Sequence, residues 1–184
     1  MKRSLFLVCP LFLFLLSACG EAPGDDVAAT FRGEPISREL VALYQEYSDG
    51  SPSDRDIVNL IVSQQILKEE AEARGMTATE EEVQQFLQDT AYASYEMPEG
   101  KAIIDEYCQS QGITFDQYIE RLRQQAPATI VKAKLEEAVA REYCERNNIP
   151  FDALNPTNDV RQAIADYETG LWDENKKEIK YYVD

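Results

Sequence analysis

Residues 57–87 read IVNLIVSQQILKEEAEARGMTATEEEVQQFL, and the reading of this stretch decides the fold. Ile57, Leu60, Ile61, Leu67 and Ala71 recur at helical spacing on one face, with Gln64 the only polar member of that register. Val58, Val62 and Ile66 widen the apolar stripe until most of this first helix is expected to be buried. Gly75 stands where a left-handed residue ends a helix, and Thr79 with Glu82 forms the T-x-x-E capping box that opens the next. The stretch therefore predicts an αα-hairpin hinged over residues 74–77. It carries no catalytic chemistry, so function has to come from what surrounds it.

Upstream, Val27 to Phe31 is a short β-type run followed by a turn at Arg32-Gly33-Glu34. Pro35-Ile36 then leads to Ser37, a good N-cap for a helix striped by Leu40, Leu43, Tyr44 and Tyr47. The loop from Ser48 to Ser53 lacks the ligand spacing of a calcium loop and reads as a connector, with Ser53 or Asp54 capping the long helix. Downstream, Met97-Pro98-Glu99-Gly100 interrupts the pattern, and Ile103, Ile104, Tyr107 and Cys108 mark another amphipathic helix ending near Gly112. Thr114 and Gln117 form a second capping box, whose helix runs through Ile119, Leu122, Ile130, Val131 and Leu135 toward Cys144. Pro127 lies inside it, where proline costs about 3 kcal/mol, so a kink or break is expected there. Asn158 is expected to cap a last helix with Val160, Ile164, Tyr167 and Leu171, with Trp172 on or beside its stripe. Residues 179–183 alternate weakly and could pair with Val27 to Phe31 as a two-stranded β element. The expected class is mainly α, a multi-helix bundle with long helices, in one domain over residues 27–184.

The first eighteen residues stand apart. Lys2 and Arg3 form a basic region, Leu5 to Leu16 an apolar one shorter than the roughly 20 residues a spanning helix needs, and Leu16-Ser17-Ala18-Cys19 follows. That tetrad resembles the lipobox of bacterial lipoproteins, which implies cleavage before Cys19 and a lipidated cysteine there, with diacylglycerol and palmitate-type chains holding the protein to a membrane of the cell envelope. Residues 19–26 then read as a flexible tether. Loss of Lys2 and Arg3 with no acid moves the formal net charge from −16 to −18. So acidic a chain repels phosphate backbones and anionic lipid surfaces, which argues against a nucleic-acid partner.

The sequence contains no histidine, which removes Ser-His-Asp and Cys-His catalysis and the usual zinc sites. Its carboxylates sit on solvated helix faces without a recognisable catalytic pair, so no enzyme activity and no cofactor is expected. With Cys9 in the leader and Cys19 lipidated, Cys108 and Cys144 remain. On a straight helix they would lie about 40 Å apart at 1.5 Å per residue. A disulfide, permitted outside the cytoplasm, therefore requires the chain to fold back near Pro127; the other reading is two inert thiols.

Taken in order, these motifs resemble the N-terminal helical domain of SurA/PrsA-type extracytoplasmic chaperones, a module related to part of trigger factor. The carrying residues are the strand-turn-helix entry Val27 to Ser37, the acid-rich helix with its turn at Arg74-Gly75-Met76-Thr77, the continuation Glu81-Glu82-Val83, and the entry Gly112-Ile113-Thr114-Phe115. The match covers about Val27 to Ala140. Such chaperones usually continue into a parvulin-type prolyl isomerase domain whose site includes histidines; with none here, isomerase activity is not expected. The resemblance implies a membrane-tethered holdase for unfolded or exported polypeptides. Tyr44, Tyr47, Tyr92, Tyr95, Met97 and Trp172 are the candidate polypeptide-binding residues, against the plainer reading that aromatics at helical spacing belong to the core. The alternative function is an adaptor lipoprotein that docks one folded envelope partner. Oligomeric state is not legible.

Overall fold

What backs the long helix over Asp54–Ala73 sets the architecture. The computed structural model describes residues 24, 26–47 and 52–183, without the side chains of residues 46 and 47. Cys19 and most of the stretch expected to form a leader and tether lie outside these residues. Strand β1 (Val27–Phe31) turns at Arg32 (φ 51°) and Gly33 (φ 86°) into β2 (Glu34–Ser37), both turn residues being left-handed as a tight hairpin of this hand demands. Here the sequence reading needs correction: residues 34–37 are a strand, not merely a lead-in, and Pro35 is tolerated because β2 is an edge. β3 (Ile179–Tyr181) pairs antiparallel with the other side of β1, with Phe31 opposite Ile179 and Ala29 opposite Tyr181. The sheet is thus three-stranded, in the order β2-β1-β3, rather than two-stranded.

Helix α1 (Arg38–Tyr47) follows, its start held by Ser37, whose Oγ accepts from the Leu40 amide. α2 (Asp54–Ala73) opens on a complete capping box between Ser53 and Asp56, and those bonds hold the Asp56 carboxyl below its usual range. Its C-terminus closes at Gly75 (φ 73°), where the Met76 amide reaches back to the Ala71 carbonyl. α3 (Glu80–Leu87) opens on the Thr79–Glu82 box and runs through a π-helical turn, residues 88–92, into the short α4 (Ala93–Glu96). α5 (Pro98–Gln111) starts with proline in its first turn and stops at Gly112 (φ 62°). α6 (Phe115–Asn147) opens on the Thr114–Gln117 box. α7 (Asn158–Asn175) is capped by Thr157, whose hydroxyl accepts from the Val160 amide, not by Asn158 as expected. The chain is mainly α.

α6 does not break. Its 33 residues run through Pro127, a span of about 50 Å. Pro127 lies on the solvent face, so water can meet the carbonyl that its missing N–H leaves free. The fold-back that a disulfide needed is therefore absent, and Cys108 and Cys144 are separate buried thiols.

Four apolar clusters hold the described residues together. The first joins the sheet to α2 through Phe31, Ile36, Val58, Val62 and Ile179. The second joins the C-terminal end of α2 to α6 through Leu67, Ala71 and Leu135, with Tyr167 and Leu171 of α7 against it. The third packs Val83 and Leu87 of α3 on Ile119 and Ala126 of α6, and the fourth packs Val160 of α7 on Ala140 and Cys144. The apolar side chains of the two hairpin arms fall in different clusters, α2 on Val131, Leu135 and Val139 and α3 on Ile119 and Ala126, so each arm packs on its own stretch of α6. Leu43 and Leu60, both read as stripe residues, are 45% exposed.

Candidate polypeptide-binding surface

The six candidate side chains do not converge. Tyr44 lies half-buried against the sheet cluster and donates its hydroxyl to Gln64 Oε1 at 2.9 Å, which also explains the single polar position in the α2 stripe. Trp172 packs on the same cluster from α7. Both are scaffold. The Tyr47 side chain and Cys19 lie outside the described residues. Tyr92, Tyr95 and Met97 come together at the far end of α3, where α4 turns into α5.

Tyr95 is internal to that corner. Its ring stacks on Phe115 of α6 with centroids 3.9 Å apart, and its hydroxyl donates to Asp105 Oδ1 at 3.0 Å and accepts from Lys101 Nζ at 2.9 Å. Lys101 also bonds Asp105 at 2.5 Å; this pairing holds the Asp105 carboxyl below its usual range and the Lys101 ammonium above. Tyr95 is thus the pin between α5 and the rest of the fold. Tyr92 meets Phe115 edge-on at 6.0 Å, and Tyr107 meets Tyr118 edge-on at 5.7 Å, so a row of aromatics seats α5 on the start of α6. Burial pushes the Tyr118 phenol up.

What remains free is apolar. Met97 is 56% exposed and Ile103 is 68% exposed, and with Pro98, Glu99 and Gly100 they line a shallow depression of about 480 Å³. Tyr92 adds an exposed edge. Gly100 fixes the turn: a Cβ there would stand 2.2 Å from the Ser94 carbonyl oxygen, so α5 can approach α4 this closely only with glycine. Ile104 and Cys108 are the buried side of α5, yet no α5 side chain belongs to any of the four clusters. The sequence reading placed Ile103 with Ile104 on the inner face. The missed signal is the spacing of Glu99, Ile103 and Glu106, which puts a carboxylate one turn to either side of the isoleucine.

A second depression, of about 260 Å³, lies between α6 and the loop after it, with Ala140 and Ile164 beneath Phe151. Phe151, one wall of this hollow, is held in place by the Arg141 guanidinium, 4.1 Å from the ring centroid. Elsewhere the polar chemistry is structural. Arg74 donates to Glu70 Oε1 at 2.7 Å, to Glu142 Oε1 at 2.8 Å and to the Tyr167 hydroxyl at 2.7 Å, while Tyr167 donates to Glu70 at 2.5 Å. This knot ties the C-terminal end of α2 to the C-terminal part of α6 and the middle of α7. Bonds from Tyr167 and Arg74 lower the Glu70 carboxyl, and burial followed by the Glu70 bond pushes the Tyr167 phenol up to about 12.

Among the described residues no group of three or more histidine, cysteine or carboxylate side chains could hold a metal ion, and no helix is long and apolar enough to cross a membrane. Comparison with known proteins finds no matching family model, no matching curated protein and no matching solved structure.

Proposed function

We propose that this chain is a membrane-anchored, extracytoplasmic chaperone-like holdase that binds unfolded or exported polypeptides and has no prolyl isomerase activity. The observation that carries the reading is the exposed apolar pair Met97 and Ile103, which line one depression at the start of α5, a helix that none of the apolar clusters includes. Large apolar side chains grouped in the open mark interaction surfaces. Methionine and a lightly seated helix suit varied, weakly held segments better than one rigid epitope. The resemblance of the motif order to SurA/PrsA-type domains and the lipobox at Cys19 supply the compartment and the anchor in this reading.

The shallow shape of the corner favours a second reading, an adaptor that docks one folded envelope protein. Suppression of aggregation separates them. The full chain, added in several-fold molar excess to a chemically unfolded client, is expected to lower light scattering on dilution. No suppression, together with stoichiometric binding to a single folded envelope protein, would replace the holdase by the adaptor.

A further inference from the structure

Three exposed carboxylates lie within one helical turn of Met97 or Ile103 along the chain. Glu96 precedes Met97, Glu99 lines the depression, and Glu106 stands one turn beyond Ile103 on the same helical face. Among the described residues no hydrogen bond or ion pair engages any of the three, whereas Lys101, the cation nearest in sequence, is held by Asp105 and Tyr95. The corner is therefore an apolar centre with an uncompensated acidic rim.

That charge pattern selects an occupant. A second copy of the chain would bring two acidic rims together, and an anionic lipid surface would be repelled. A segment that alternates apolar and basic side chains meets both parts at once: its apolar groups cover Met97 and Ile103 while its lysines or arginines reach the rim. We propose that the α4–α5 corner is the polypeptide-binding site and that its substrates are extended, non-native segments rich in both apolar and basic residues. This rests on the holdase reading and specifies which segments such a holdase takes.

The test is fluorescence anisotropy with three short unstructured peptides: leucine and phenylalanine alternating with lysine, the same with glutamate for lysine, and the lysine peptide with serine for the apolar residues. One exposed ion pair contributes well under tenfold, so three carboxylates acting together should favour the apolar-lysine peptide over the apolar-glutamate peptide by about tenfold. The serine-lysine peptide should bind more weakly than the apolar-lysine one. Met97→Ser with Ile103→Ser should weaken binding of the apolar-lysine peptide by about fivefold or more. Glu99→Lys with Glu106→Lys should invert the charge preference, a gain that an unfolded variant cannot produce.

Equal affinity for the lysine and glutamate peptides, equal affinity for the serine-lysine peptide, or a preference unmoved by charge reversal would overturn the proposal. Aggregation suppression that survives in the Met97→Ser, Ile103→Ser chain would leave the holdase standing and overturn this site. Charge-selective peptide binding at the corner without aggregation suppression would uphold the site and its substrate class while removing the holdase.

Discussion

α2 and α5 are both amphipathic helices, but they are held very differently. α2 buries Ile57, Val58, Ile61, Val62, Ile66, Leu67 and Ala71, with the sheet behind its first half and α6 behind its second. α5 buries Ile104 and Cys108 and is seated mainly by aromatic rings and the Tyr95 pin. A helix covered on several sides contributes to global stability; one covered on a single side opens locally. The difference shows where the molecule can present apolar surface without loosening its core.

The comparison breaks most directly at Phe31, which is fully buried between the sheet and α2. Phe31→Ala is expected to cost about 3–5 kcal/mol in denaturant unfolding. A cost below about 1 kcal/mol would mean that the sheet does not back α2. Next comes Gly100→Ala, which sets a methyl against the Ser94 carbonyl and should cost about 1–3 kcal/mol. Its signature is local: α5 amides lose hydrogen-exchange protection while those of β1 keep theirs. Equal loss in both would show that α5 is part of the global unit.

Tyr167→Phe sharpens the contrast from the rigid side, with a smaller expected loss of about 1 kcal/mol. The phenol's ordinary value is 10.0 and the folded protein raises it to about 12, so the folded state holds this proton more tightly. The stability it contributes is complete below pH 10 and disappears as pH rises toward 12, so the variant should show a flatter alkaline limb in a pH-melting series. Glu70 runs the opposite way: its lowered carboxyl contributes above its ordinary 4.5 and loses that contribution on acidification, so Glu70→Gln should flatten the acid limb. The smallest effect is expected at Ile103, where substitution by serine should change stability by less than about 0.5 kcal/mol because the side chain is 68% exposed.

Much of the scaffold could be read directly from the chain. Capping boxes at Thr79–Glu82 and Thr114–Gln117, and glycines at 75 and 112, act within a single helical turn, so sequence and structure agree there. The pairing of Val27–Phe31 with residues 179–181 also followed from β-type composition. β2 escaped because an edge strand containing proline looks like a turn, and its strand character comes from β1 beside it. The passage of α6 through Pro127 escaped for a related reason: propensity favours a break, while packing against α2, α3 and α7 on both sides of the proline holds the helix in register.

The candidate site was harder to read. Helical spacing identifies a face as apolar but does not say whether anything covers it, and that depends on elements distant in sequence. Tyr44 and Trp172 are covered by the sheet cluster and Tyr95 by Phe115, while Met97 and Ile103 stay more than half exposed. Charge was the local clue to the last case, since an isoleucine with glutamates at both neighbouring turns is poorly placed for a core.

The sheet has one consequence that belongs to the order of synthesis. β1 is made well before β3, and although Phe31 pairs early with Glu34 of β2, its partner on the other side, Ile179, comes only later. At roughly 5–20 residues per second, about 7 to 30 seconds separate the two. Through that interval the apolar face of α2 lacks the part of its cover that β3 brings, so closure of the sheet cluster is a late, long-range event.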